Sequence, residues 1–413
     1  VKRYESVEAE VKRLSSLVAE IAVVEEGGEL CACIAPDLEE AARQGIVNLT
    51  AEIRWYAVEL YNMHAPEGMK IRSFHVAPLP LPKRAEGGID TAGLAEWLKR
   101  ASRPHPAEPD IDNPLYRELK AYISRMTEQP VYPSSHFEFD LGLDSLDHVE
   151  LFAFAEESFG VVIRDRSFAA MMTPKALWRY VRAHRKRMEP RPVEWSRLLR
   201  KRQGTKLHAS PWALRLFKWL ALPLFKLYFR LKVSGTEKIP EAPCIIAPSH
   251  QSMLDGFIIA ASLPTEVLEQ TYTLAFDLVF GRGVMTPVAR YGQLVLIDVN
   301  NDLRASVESS GVPLMAGKNL IVFPEGARSR DRQLLEFRPL FAMLAKEFGV
   351  PIVPVVLDGT FEALRAGMLF PRPARVVVTY LDPVRPEEGE SAELLSMRVK
   401  KRIREEMEAH PLV

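Results

Sequence analysis

The sequence predicts a multidomain chain: a small α+β unit, a compact helical module and an α/β domain. Three patterns predict it. The first hundred residues alternate helical and extended spacing. A stretch from about 111 to 185 reads as mostly helical. From 207 onward, apolar runs rich in β-branched residues recur between helical stretches, the pattern of a sheet covered by helices. At 413 residues the chain has room for two to four domains.

Val7, Val11, Leu14 and Leu17 recur at helical spacing. IAVVEE and ELCACIAP read as two strands joined by a turn at Gly27-Gly28. Ile53, Val58, Leu60 and Tyr61 suggest a second helix, and MKIRSFHVAPLPLPK a strand that leaves through prolines. ASRPHPAEPDIDNP then has the composition of a linker. From Arg182 to Lys206 the chain holds ten Lys or Arg against only Glu189 and Glu194, which reads as a solvated linker or a membrane-facing stretch. The last segment opens with WALRLFKWLALPLFKLYFRL. The runs PCIIAPS, GQLVLID, KNLIVFP, VPIVPVVLDG and ARVVVTY follow as strands. The prolines of VPIVPV suit the edge or end of a sheet. There is no internal repeat.

Composition excludes several classes. With 47% hydrophobic and 26% charged residues the chain is not a disordered protein. A net charge of +0 gives no argument for nucleic-acid binding. Cys31, Cys33 and Cys244 lack a metal or disulfide spacing and read as reduced core residues of a cytoplasmic protein, so no metal is expected. No uncharged apolar run reaches the ~18 residues of a spanning helix. The opening VKRYESVEAEVKRL lacks the apolar centre of a signal peptide. Any membrane contact is therefore expected to be peripheral, on the inner face. Arg215, Lys218, Lys226 and Arg230 fall within about 120° of a helical wheel, with Trp, Leu and Phe filling the rest. That is the pattern of an interfacial helix, with Pro223 expected to kink or split it. The competing reading is a core helix packed on the sheet.

FDLGLDSLDHVELFAFAEESFG places Ser145 at a helix start behind Asp144, whose short polar side chain suits a cap. Leu146, Val149, Phe152, Ala153 and Phe159 share one helical face. Glu138, Asp140, Asp144, Asp147, Glu150, Glu156 and Glu157 accompany no Lys or Arg. Nearby carboxylates oppose nucleophilic catalysis by the serine. They suit a handle onto which basic partners dock. A capped acidic helix with an incidental serine explains the local pattern equally well.

PSHQSMLDG places His250 five residues before Asp255, after the strand-like PCIIAP. A carboxylate on one imidazole nitrogen fixes the tautomer and stabilises the imidazolium, and the other nitrogen can take a proton from an alcohol. The spacing alone also fits a structural pair. FPEGARSRD follows the strand KNLIVFP. Its Glu325 and Gly326 suit a tight turn, and Arg328 suits an anionic group, since guanidinium binds phosphate oxygens in pairs.

Leu141 to Leu146 resembles the Leu-Gly-x-Asp-Ser-Leu signature of acyl carrier proteins, and MTPKALWRYV resembles their last helix. The resemblance implies an all-α four-helix bundle over 110–186. It further implies phosphopantetheine carried on Ser145, attached by a phosphopantetheinyl transferase. His250 and Asp255, the block Phe323–Ser329 and the block Val350–Val355 together resemble the glycerolipid acyltransferases. That resemblance implies an α/β acyltransferase domain over 187–413. His250 would activate the acceptor hydroxyl, Asp255 would support it, and Glu325, Gly326 and Arg328 would help bind the acceptor's phosphate. One block departs from the family: GQLVLIDVN keeps Gly292 and Asp298 but has Val299 where arginine is expected. A lysophospholipid with a larger head group, or another lipid alcohol, fits this at least as well as glycerol 3-phosphate or lysophosphatidate.

ELCACIAPDLEEA, IRWYAVELYN and MKIRSFHVAPLPLPKRAEGGID resemble the C-terminal subdomain of adenylate-forming acyl-activating enzymes over 1–104. Gly87-Gly88 stands where that family has Gly-Lys, and the sequence contains no Gly-rich phosphate loop, so adenylation is not expected here. The expected partners are a lipid acceptor at a membrane surface and an acyl-activating enzyme or adenylation domain. The expected donor is an acyl-carrier or acyl-CoA thioester. The leading expectation is an O-acyltransferase. The alternative is an acyl-carrier scaffold whose transferase domain binds lipid without catalysis.

Overall fold

Val7 and Val11 lie one turn apart on α1 (Glu5–Leu14) and are buried against β1 (Val18–Glu26). The helix ends before Leu17, which is buried in the turn that follows rather than on the helix. The computed structural model describes residues 4–409 apart from 87, 102–105, 164, 189–194, 201–206, 242, 277–285, 298–302, 330–331, 366–367 and 369. The chain forms two compact units, residues 1–194 with 299–304, and residues 195–298 with 305–413.

In the first unit β1, β2 (Glu29–Pro36) and β3 (Ile71–Val76) form a sheet in that order. β1 and β2 make the antiparallel hairpin expected at Gly27-Gly28, and β3 joins β2 in parallel. A parallel pair needs a crossover. Helix Leu38–Gln44 supplies part of it, and a second helical run the rest: Leu49–Ile53, a π-helical Arg54–Glu59, then Leu60–His64. Alternation along the strands splits their side chains between two cores. Ile21, Val23, Ala32 and Ile34 meet Val7, Ile53 and Val58. Ala22, Cys33 and Ala35 meet Leu94 and Trp97.

Three α-helices and a short 3-10 helix follow in the same unit: α2 (Pro114–Met126), α3 (Ser145–Phe159), the 3-10 helix Asp165–Met171, and α4 (Pro174–His184). Asn113 and Thr173 cap α2 and α4, each with proline in the first turn, where its missing N–H costs nothing. α3 is buried on most sides. Leu151, Phe154 and Ala155 join Val149, Phe152 and Ala153 in the interior, so the single stripe read from sequence was too narrow. Leu119, Ile123, Leu177 and Val181 close round it.

The second unit holds a seven-stranded sheet in the order β4-β10-β9-β5-β8-β6-β7. The strands are β4 (Lys232–Ser234), β5 (Ile245–Pro248), β6 (Thr271–Phe276), β7 (Leu294–Ile297), β8 (Asn319–Ile321), β9 (Ile352–Asp358) and β10 (Val377–Tyr380). Every neighbouring pair is parallel except β9 with β10. One face is covered by α5 (Pro211–Tyr228) and α6 (Asp255–Ser262), whose Leu214, Ile258 and Ile259 join Ile246, Val355 and Leu357 in one core. α7 (Leu340–Phe348) and α8 (Ala392–Ala409) pack on β5 and β9 with Phe341, Leu344, Leu395 and Val399 buried. This is the α/β architecture expected, with β4 and β6 added to the strands read from sequence.

Two proline expectations are revised. Pro354 lies in β9, an internal strand between β10 and β5. Its carbonyl accepts the Leu381 N–H, so its nitrogen faces the β10 side, beyond the last ladder pair Tyr380↔Val355. The absent donor falls one residue past the end of β10. Pro223 lies within α5 on its exposed side, and the helix runs unbroken from Pro211 to Tyr228. The basic stretch read from sequence falls partly outside the described residues, at 189–194 and 201–206.

Candidate active site

β5 ends at Pro248 opposite Val355 of β9. Ser249 continues the pairing: its N–H donates to the Val355 carbonyl, and its Oγ accepts the Leu357 N–H at 3.0 Å. His250 therefore emerges at the carboxyl end of a central parallel strand, the edge where open α/β sheets place their chemistry. Five residues on, Asp255 opens α6.

His250 Nδ1 lies 2.9 Å from Asp255 Oδ2. The same oxygen accepts the N–H groups of Gln251 at 2.6 Å and Ser252 at 2.8 Å. Asp255 is fully buried, and its Oδ1 has no hydrogen-bond partner among the described residues. With a carboxylate on Nδ1, the ring proton sits there and Nε2 is left as the base. The imidazole is 20% exposed, so substrate can reach it, and the Phe323 ring lies against it at 4.3 Å between centroids.

β8 leads into the Phe323–Ser329 loop. Gly326 turns it with φ 61, a left-handed conformation that a β-carbon would strain, and donates its N–H to the Phe323 carbonyl. Glu325 points inward. Its Oε1 accepts the His250 N–H at 2.7 Å and its Oε2 the Leu335 N–H at 2.8 Å. Burial pushes the Glu325 carboxyl up to about 7, against these two donors, which hold it down. Ser329 donates its N–H to the His250 carbonyl at 2.9 Å. Arg328, half-buried, precedes Ser329 on this loop. His250, Asp255, Glu325 and Gly326 are thus gathered at one strand end, with Arg328 on the same loop. Asp298 and Val299 lie outside the described residues. Sequence reasoning missed Phe323 as a ring partner, although it stood inside the recognised block. It also missed Leu335, which acts through its main chain and leaves no side-chain signal.

Ser145 belongs to the other unit, where it is the first residue of α3; its side chain lies outside the described residues. Asp144 accepts the N–H groups of Leu146 and Asp147, and Asp147 accepts that of Asp144, closing a capping box round the serine. The acidic stretch is more internal than its composition suggests. Glu138 accepts the Leu49 and Thr50 N–H groups, Asp140 that of His136, and Glu156 that of Ile163, while Glu150 accepts the Tyr122 hydroxyl. These carboxylates serve the fold, which narrows the docking surface inferred from charge alone.

Residues 230–358 match the family model described as Acyltransferase, and residues 117–181 the one described as Phosphopantetheine attachment site. The 1-acyl-sn-glycerol-3-phosphate acyltransferase of Limnanthes douglasii is 32% identical over 164 residues, 38% of this chain and 56% of that protein. The enzyme of the same name from Cocos nucifera is 28% identical over 166 residues, 40% of this chain and 53% of that protein. The chain thus spans a little over half the length of these curated relatives. Among solved structures, the 1-acyl-sn-glycerophosphate (LPA) acyltransferase PlsC of Thermotoga maritima is 27% identical, covering 48% of this chain and 81% of that one, with a TM-score of 0.42. The chain carries a phosphopantetheine attachment domain followed by an acyltransferase domain.

Proposed function

We propose that the chain is an O-acyltransferase that moves a fatty acyl group from an acyl-carrier or acyl-CoA thioester to the hydroxyl of a lysophospholipid or related glycerophosphate lipid. The observation that carries this is the His250–Asp255 pair, oriented at 2.9 Å with the imidazole reachable from solvent. The acceptor hydroxyl gives its proton to Nε2 as its oxygen bonds to the thioester carbonyl carbon. The C–S bond then breaks, and the imidazolium returns the proton to the departing thiolate. Asp255 stabilises the imidazolium between these steps. Arg328 supplies positive charge for the acceptor's phosphate, and Gly326, with no side chain, leaves room for it beside the loop.

We read the chain as three domains, an α+β unit at 1–104, a carrier at 110–186 and the transferase at 187–413. The carrier is a four-helix bundle whose third helix is the short Asp165–Met171 turn. Ser145, held at the capped start of α3, fits the attachment residue for phosphopantetheine, whose thiol holds the acyl chain as a thioester. A phosphopantetheinyl transferase would install that group, and an acyl-activating enzyme or adenylation domain would load it.

α5 supports a peripheral place on the inner face of a membrane. Among the described residues no helix is long and apolar enough to cross one. Trp212, Leu216, Trp219, Leu220, Leu224 and Leu227 point outward, with Trp219 72% and Leu227 84% exposed. Arg215 is turned to Glu269 and Lys218 to the Leu263 carbonyl, while Lys226 and Arg230 stay exposed for anionic head groups.

The test is thiol release and lipid product from acyl-CoA and loaded carrier with a panel of lysophospholipids. Wild type should acylate at least one acceptor, and His250→Ala should not exceed background. Equal rates would sink the catalytic reading and leave the carrier-scaffold alternative. Intact mass after co-expression with a phosphopantetheinyl transferase should show one added arm, absent from Ser145→Ala.

A further inference from the structure

We infer that Glu325 is a positioning residue that sets the main chain of His250, and does not itself touch the acceptor. The inference rests on the acyl-transfer reading of the same site. Both carboxylate oxygens are already committed, Oε1 to the His250 N–H at 2.7 Å and Oε2 to the Leu335 N–H at 2.8 Å. The residue is only 4% exposed. When ionised, the carboxylate would also repel a phosphate at contact distance.

The arrangement has a mechanical consequence. Glu325 sits on the loop after β8, His250 on the loop after β5, and Leu335 on the segment before α7. One side chain ties all three. The Ser329 N–H takes the His250 carbonyl from the other side at 2.9 Å. His250 is therefore held by its N–H, its carbonyl, its Nδ1 and its ring face, each by a different residue. Remove the first grip and the imidazole shifts relative to the substrate, although Asp255 and Phe323 remain.

The charged neighbours are consistent with this role. Asp255 of α6 opposes ionisation of Glu325, and Lys400 of α8 favours it from a distance. Lys400 is itself paired with Glu336 at 2.5 Å. Arg338 brings its Cγ to the Gly326 side of the loop. The carboxylate is held by main-chain N–H groups, a stronger bond than a neutral pair makes.

Glu325→Gln in the full chain tests the idea. The amide keeps the shape but turns an NH2 toward one of the two N–H donors. The expected result is a kcat lower by about 10- to 100-fold, because a misplacement of ~1 Å costs on that order. KM for the lysophospholipid should stay within about twofold, since no substrate contact is removed. Amide hydrogen exchange should accelerate in the peptides containing His250 and Leu335. Glu325→Asp, one methylene short, should lie between wild type and Glu325→Gln in kcat and exchange, and it carries the comparison if Glu325→Gln does not fold. A rise in acceptor KM with kcat preserved would overturn the inference. Unchanged exchange at both amides would overturn it too, whatever the activity. If wild type transfers no acyl group but the exchange responds, the positioning role stands and the acyl-transfer reading falls.

Discussion

Asp255 Oδ2 meets His250 Nδ1 at 2.9 Å while accepting the Gln251 and Ser252 N–H groups with the same oxygen. One buried carboxylate thus orients the imidazole and shapes the loop that carries it. Asp255→Asn can keep the shape through its amide oxygen but loses the charge that stabilises the imidazolium. We expect kcat to fall by about 100- to 10,000-fold. The amide nitrogen, placed where Oδ1 lacks a partner, should cost about 1–3 kcal/mol of stability. Steady-state kinetics and urea titration measure the two effects, and near-wild-type turnover would remove Asp255 from the mechanism.

The outward row on α5 predicts a membrane-binding defect without a folding defect. Trp219 and Leu227 contribute little to the core at 72% and 84% exposure. Their burial in lipid would each contribute about 1.5–3 kcal/mol. Trp219→Ser with Leu227→Ser should lower partitioning into anionic vesicles by about 100-fold or more, with Tm unchanged. Flotation of the full chain measures it. Equal flotation would show that this row stays out of the bilayer.

His148 predicts acid sensitivity of the helical module. It is fully buried on α3, with neither ring nitrogen hydrogen-bonded among the described residues. Burial pushes its imidazole down to about 4, helped by the nearby His136 and opposed by Asp144. Once unfolded, the ring takes its proton near ~6.5. As pH falls, the unfolded chain therefore binds that proton first. Stability is intact above about 6.5 and declines toward 4, by roughly 3 kcal/mol for this group. His148→Leu should move the acid midpoint to lower pH, followed by pulse proteolysis between α3 and α4. An unmoved midpoint refutes the assignment.

Gly359 follows β9 with φ 82, and a β-carbon there would lie 1.9 Å from the Arg375 carbonyl oxygen. Gly389 has φ 77 and open space around it. Gly359→Ala should cost about 2 kcal/mol or more and Gly389→Ala about half that, since the second pays conformational strain alone. Thermal unfolding of the two variants checks the order. Equal losses would mean that β9 and β10 separate freely to admit the methyl.

Much of the architecture was legible where one rule of spacing governs. The hairpin at Gly27-Gly28 and the strands β5, β7, β8, β9 and β10 follow from runs of apolar residues between breakers. β6 carries a weaker signal of the same kind, an alternation that buries Tyr272 and Leu274. β4, with only Lys232–Ser234, is too short for any periodicity to register. The Leu17 error has a different cause. Spacing continues the apolar series past Leu14, but the chain has already turned toward β1.

Within the site, sequence spacing alone put Asp255 one turn from His250, because five residues across a loop and a helix start leave little freedom. Identity of residue type marked Ser145, Gly326 and Arg328. Whether Glu325 reaches His250 or the substrate could not be read that way. Its two partners are 75 and 10 residues distant, and both are backbone N–H groups, which every residue but proline owns. The tolerance of Pro354 in an internal strand, the burial of His148 and the internal use of Glu138 likewise depend on which segments the fold brings alongside. Local chemistry settled which groups this protein has to work with. Only the packing of distant segments decided which of them meet, because a contact's energy depends on its distance in space and not on its separation along the chain.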